Sequence, residues 1–184
     1  MSRELLVIRH SEKNHQTGML TQRGKQRAYE RAPAISSLGF KKAIVAPNDR
    51  CQQTARCMRL QIIYEMPLLV TPDNVSEAYL NDAIVRRMLK QQCKPMERSY
   101  LQAVLDDERR EDFIDWGRRL AAEIIHVGKN QYENIVLVGC SPAVELAYLG
   151  MINDFDWELF PKCRNLDGFF YTYTTGTCRQ LLSG

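Results

Sequence analysis

A chain of 184 residues and 21.3 kDa, 45% hydrophobic and 26% charged, has enough apolar material for one ordinary globular domain, residues 1–184, that needs no covalent staples. Its formal charge of +3 and pI near 8.5 suit an anionic small molecule and fall short of the basic footprint of a nucleic-acid partner. Six cysteines without a C-x-x-C pair argue for free thiols over a disulfide framework or a zinc site. No apolar run reaches membrane-spanning length or forms a secretory leader, so the expectation is a soluble, cytoplasmic protein with no membrane partner.

Leu5-Leu6-Val7-Ile8 is a short continuous apolar run, the pattern of a strand buried on both faces. Thr21 is placed to cap a helix reaching about Ile35, with Ala28, Ala32 and Ile35 at helical spacing, and Pro33 should kink or end it. The cluster Arg23, Lys25, Arg27 and Arg31 reads as a solvated face of that helix, because no aromatic residues interleave to stack on bases. Ala43-Ile44-Val45-Ala46 is a second strand, and Pro47-Asn48-Asp49 supplies turn and cap chemistry for a helix from about Arg50 to Leu60.

Leu68-Leu69-Val70 predicts a third strand stopped at Pro72, with helices then expected over 77–92 and 97–105. Residues 106–112 carry a run of charge that reads as a solvated connection, its acids suited to the start of the next helix. In that helix Phe113, Trp116, Leu120, Ala121, Ile124 and Ile125 recur at i, i+3, i+4 spacing and mark a core-facing stripe. Ile135-Val136-Leu137-Val138 is a further buried strand, followed through Cys140-Ser141-Pro142 by a helix over about 143–151. A hairpin of 169–174 and 178–182 closes around Thr175-Gly176. Strands alternating with helices predict an α/β fold, a three-layer α/β/α sandwich whose central sheet is mostly parallel, with one antiparallel strand at an edge.

In such sheets ligands gather at the carboxyl ends of the strands. Three segments place reactive or polar groups there: Arg9-His10, Asn48-Asp49-Arg50 and Cys140-Ser141. With Leu20-Thr21-Gln22-Arg23-Gly24 and Arg50 followed by Thr54-Ala55, this set resembles the histidine phosphatase (phosphoglycerate mutase-like) superfamily over about residues 5–150, at its compact phosphatase end. The resemblance implies that His10 is the nucleophile, attacking phosphorus to form a phosphohistidine that water then hydrolyses. It implies that Arg9 and Arg50 bind the phosphoryl group, a role for which planar, bidentate guanidinium forks are well suited.

Ser11, where many relatives have glycine, and Ser141 are the further candidates for substrate binding. Glu77 is the best-placed match to the acid that protonates the leaving group in the mutase-like branch. The family's second histidine is replaced by Cys140. A neutral thiol is a weak donor and a thiolate repels phosphate, so a loss of roughly two to three orders of magnitude in rate is expected from one missing donor. His15 lies in the loop past His10 and His126 on the amphipathic helix; a packed or surface role is expected for the latter. A cysteine-phosphatase loop of the Cys-x5-Arg type is excluded, since Leu146 stands six residues after Cys140.

Two functions stay open at this point. One is a phosphomonoester or phosphohistidine hydrolase of reduced activity, acting on a phosphorylated small molecule or phosphoprotein without metal or organic cofactor. The other is a catalytically inactive phosphate-binding or protein-interaction module. Substrate identity and oligomeric state are not encoded legibly.

Overall fold

The structure, a computed structural model, describes residues 3–70, 79, 82, 105, 108–131, 133–160 and 163–181. Strands β1 (Glu4–Arg9), β2 (Lys42–Val45), β3 (Gln61–Glu65), β4 (Ile135–Gly139), β5 (Gly168–Thr172) and β6 (Thr177–Leu181) form one sheet. Their order is β3-β2-β4-β1-β5-β6. The first four run parallel, while β5 is antiparallel to β1 and β6 antiparallel to β5. The antiparallel strand expected at an edge is therefore β5, inside the sheet, and the hairpin partner β6 forms the edge.

Helices α1 (Gln22–Ser37) and α2 (Asp49–Cys57) pack on each other, as do α3 (Arg110–Lys129) and α4 (Ala143–Ile152). The β1-α1-β2-α2-β3 path steps one way across the sheet and α3 carries the chain back, so right-handed crossovers put the two helix pairs on opposite faces. The result is a three-layer α/β/α sandwich. The four residues of the first apolar run, Leu5, Leu6, Val7 and Ile8, are buried beside Val136, Leu137 and Val138 at its centre.

The starts of α1, α2 and α3 have local chemical causes. Thr21 Oγ1 accepts the Gly24 N–H at 2.9 Å, and Asn48 Oδ1 accepts the Cys51 N–H at 3.0 Å, satisfying donors that the first turn leaves unpaired. Glu111 and Asp112 occupy the first turn of α3, where carboxylates meet the positive end of the helix dipole.

Three expectations need correction. Pro33 does not end α1, which continues to Ser37. The proline lies on the exposed side while Ala32 and Ile35 hold the helix against the core, so the carbonyl it deprives faces water. Helix α2 stops at Cys57, before Leu60, and Arg59 at φ 60° turns the chain into β3. The third strand is Gln61–Glu65, at the sheet edge beside β2 with Ile62 and Ile63 half-buried, and Pro67–Leu69 is a short 3-10 turn. Its apolar residues mark a core plug: Leu69 is buried, its carbonyl accepts the Cys140 N–H at 3.3 Å, and the Leu68 carbonyl accepts the Trp116 indole at 2.9 Å. The helices expected over 77–92 and 97–105 fall outside the described residues except at Tyr79, Asp82 and Leu105, which are helical.

The start of α1 also fixes the loop after β1. The Thr21 N–H donates to the Glu12 carbonyl at 3.0 Å, and a Cβ on Gly24 would stand 2.1 Å from that same oxygen. Gly24→Ala must therefore push α1 and the loop apart, at a cost of about 2 to 3 kcal/mol from overpacking against backbone. The expected outcome is a lower urea midpoint with an unchanged slope.

Candidate active site

Because β2, β4 and β1 are neighbours, their carboxyl ends deliver Asn48-Arg50, Cys140 and Arg9-His10 to one place. The His10 N–H donates to the Gly139 carbonyl at 2.9 Å, tying the first segment to the last. The imidazole is 3% exposed. Its Nδ1 lies 2.6 Å from the Ser11 carbonyl; a carbonyl can only accept, so Nδ1 carries the hydrogen and Nε2 keeps its lone pair. Burial first, then the positive charges of Arg9, Arg50 and Lys13, hold the His10 pKa well below its ordinary value, against the opposing pull of the Ser11 carbonyl. The ring is neutral at pH 7 and has one free nucleophilic nitrogen.

Ser11 links the three sequence motifs. Its N–H donates to Thr54 Oγ1 at 3.0 Å and its hydroxyl to the Gly24 carbonyl at 2.8 Å. Thr54 in turn donates to the Arg50 carbonyl at 2.7 Å. The histidine loop, the start of α1 and the first turn of α2 are thus held as one unit. Ser11 is fully buried, with its hydroxyl hydrogen committed to Gly24.

Arg9 Nη1 donates to the Cys163 carbonyl at 2.6 Å. Arg50 Nη2 lies 3.1 Å from Cys140 Sγ, and Asn48 Nδ2 lies 3.3 Å from the same sulfur. Cys51 Sγ is 3.8 Å away on the other side. Hydrogen bonding from Cys51, followed by the Arg50 charge and the bonds from Asn48 and Arg50, brings the Cys140 thiol down to about 6 despite its burial. The Cys51 thiol is pushed well above its ordinary value, burial being the largest cause, so it stays protonated and donates to its neighbour. These surroundings favour the thiolate form of Cys140, and its sulfur sits on Arg50.

Below this lies Glu145, 1% exposed in the first turn of α4. Oε1 accepts the Ser141 hydroxyl at 2.7 Å, and Oε2 is buried with no hydrogen-bond partner among the described residues. Burial raises its pKa to about 7 against the opposing influence of Arg9 and Ser141. Ser141 is therefore committed to an acid that sequence reasoning passed over. A single carboxylate within Ala143-Val144-Glu145-Leu146-Ala147 was the available signal, since an unpaired charge in an apolar helix needs a local reason. Asn48, expected at this strand end, reaches Cys140, whereas Cys51 and the Cys163 carbonyl were missed as neighbours of the site. Contacts to sulfur and backbone oxygen leave no motif.

Glu77 lies outside the described residues. His15 and His126 are both exposed. Among the described residues no group of three or more His, Cys, Asp or Glu side chains is placed to hold a metal ion, and no helix is long and apolar enough to cross a membrane.

No protein-family model matches the chain, and no curated protein matches it in sequence. Solved structures do. Phosphoserine phosphatase from Entamoeba histolytica, solved with 3-phosphoglyceric acid, superposes with a TM-score of 0.64 at 18% identity, covering 98% of this chain and 95% of its own. Phosphoglycerate mutase from Bacillus anthracis gives 0.67 at 14% identity, covering 99% and 93%. The protein SixA from Agrobacterium tumefaciens gives 0.55 at 11%, covering 100% and 99%. The chain has the fold shared by these histidine phosphatase superfamily proteins.

Proposed function

We propose that this chain is a phosphohydrolase of the histidine phosphatase type, acting on a phosphomonoester or phosphohistidine and slowed by Cys140. The observation that carries this reading is the His10 ring, neutral and tied through Nδ1 to the Ser11 carbonyl. His10 Nε2 forms a bond to phosphorus as the P–O bond to the leaving group breaks. Water then cleaves the N–P bond and releases inorganic phosphate. Arg9 and Arg50 balance charge on the phosphoryl oxygens. Protonation of the leaving oxygen falls to Glu77 by resemblance to the mutase-like branch. The substrate is a phosphorylated small molecule or phosphoprotein; phosphoserine phosphatase, which has the same fold, is named for a phosphorylated small molecule.

The test is a denaturing quench after mixing with para-nitrophenyl phosphate. Wild type is expected to release nitrophenol and carry an acid-labile phosphoryl group, and His10→Ala to do neither. Hydrolysis that survives His10→Ala would sink the proposal.

A second reading has its own support in the Arg50–Cys140 contact: a guanidinium committed to a thiolate favours a phosphate-binding module without turnover. In that case phosphate binding weakens in Arg9→Ala and Arg50→Ala, and para-nitrophenyl phosphate is untouched by wild type.

A further inference from the structure

Cys140 and Cys51 form a pair that phosphate hydrolysis has no use for. Cys51 is in the first turn of α2, Cys140 directly follows β4, and their sulfurs are 3.8 Å apart. Reaching a disulfide bond of about 2.0 Å requires an approach of about 1.8 Å, within the reach of side-chain rotation and a small backbone adjustment. The other donors on Cys140 are the Arg50 fork at 3.1 Å and the Asn48 amide at 3.3 Å. Asn48 and Arg50 are only partly buried, so the side of the sulfur they cover is the side nearest water.

We propose that Cys140 is a peroxide-oxidised site resolved by Cys51, and that forming this disulfide opens the phosphate site by releasing Arg50. In the reduced chain the sulfur takes the donors that a phosphate oxygen would otherwise use. It acts as a built-in competing anion. A disulfide sulfur carries no charge and is a poor acceptor, so Arg50 and Asn48 regain their donors.

The chemistry balances with hydrogen peroxide as oxidant. The Cys140 thiolate attacks one peroxide oxygen, the O–O bond breaks, and the products are the sulfenic acid and hydroxide. Cys51 sulfur then attacks Cys140 sulfur, the S–O bond breaks, and the Cys51 proton leaves with the hydroxyl as water. The two sulfurs together lose two electrons and the peroxide gains them. The first step needs the thiolate that the surroundings favour at Cys140; the second needs the proton that Cys51 holds to pass to the departing hydroxyl as the Cys51 sulfur attacks.

The thiol chemistry stands on sulfur geometry alone, whereas the opening of the site rests on the phosphate-binding reading, and two measurements separate them. The full chain is treated with peroxide or dithiothreitol, and its intact mass and disulfide map are read beside calorimetric titration with inorganic phosphate. The expected result is the loss of two hydrogens, a peptide linking Cys51 to Cys140, and phosphate binding about tenfold tighter in the oxidised form, as expected on removing one charge-assisted competitor. Dithiothreitol reverses both. Cys51→Ala is expected to gain oxygen on Cys140 instead of losing hydrogen, because the sulfenic acid is left unresolved.

Absence of the 51–140 link in the oxidised wild type overturns the proposal whatever the variants do. So does a link that forms while phosphate affinity stays constant or falls. If the link forms and phosphate binds in neither state, the phosphate-site reading fails and the gating with it, while the thiol chemistry is confirmed.

Discussion

Cys140→His is expected to raise the rate of para-nitrophenyl phosphate hydrolysis by about two to three orders of magnitude, the scale of one preorganised donor at a developing charge. Two changes act together. The sulfur that faces Arg50 and Asn48 at 3.1 and 3.3 Å is removed, and, on the proposed function, an imidazole can donate there to the phosphoryl group. The backbone at this position makes no demand on the side chain: the N–H bond to the Leu69 carbonyl is available to any residue but proline. Adding His10→Ala to this variant is expected to abolish the gain, since the new donor acts only on a phosphoryl group that His10 attacks. A folded Cys140→His protein no faster than wild type would remove Cys140 as the cause of slow turnover. A gain that survives His10→Ala would place the nucleophile elsewhere.

Glu145→Gln is expected to stabilise the protein above neutral pH and to change it by less than about 1 kcal/mol near pH 5. The native carboxyl has its pKa raised from 4.5 to about 7, mainly by burial. A raised pKa means that the folded state binds the proton more tightly than the unfolded state does. Its contribution is fully present below pH 4.5 and is lost as pH rises through about 7. Glutamine keeps the neutral form at every pH, and its amide oxygen can still accept the Ser141 hydroxyl. The variant should therefore exceed wild type by up to about 3 kcal/mol at pH 8, the free energy of a shift of roughly two units or a little more. His10 and Cys140 titrate in both proteins, so their contributions largely cancel in the difference. Urea denaturation at pH 5 and pH 8 reads it directly. An equal difference at both pH values would show that Glu145 is not protonated in the fold, and a less stable variant at pH 8 would show that its charge is compensated.

These two experiments probe different parts of one arrangement. The first asks what Cys140 does beside Arg50, and the second asks how Glu145 is held in the first turn of α4. Arg9 connects them, because it lowers both the His10 pKa and that of Glu145. Its bond to the Cys163 carbonyl fixes it across the mouth of β1.

What the sequence by itself determined was whatever depends on local pattern. Continuous apolar runs marked β1, β2 and β4, because a strand buried on both faces admits no polar residue. Thr21 and Asn48 marked helix starts through their own side-chain oxygens, and Thr175-Gly176 marked the final hairpin. Those segments in chain order were enough to place Arg9-His10, Arg50 and Cys140 at strand carboxyl ends, and the sheet order made those ends neighbours. Only the tertiary structure decided the rest. β3 was passed over because its apolar stretch, Ile62-Ile63, is only two residues long and half-buried, and Leu68-Leu69-Val70 misled because a core plug has a longer one. Pro33 was tolerated because packing on either side of it outweighs one lost backbone bond. The ionisation of Cys140 had the same kind of cause: a thiol's pKa depends on which charges and donors surround it, and Arg50, Asn48 and Cys51 reach it across about ninety residues of chain through the adjacency of β2 and β4.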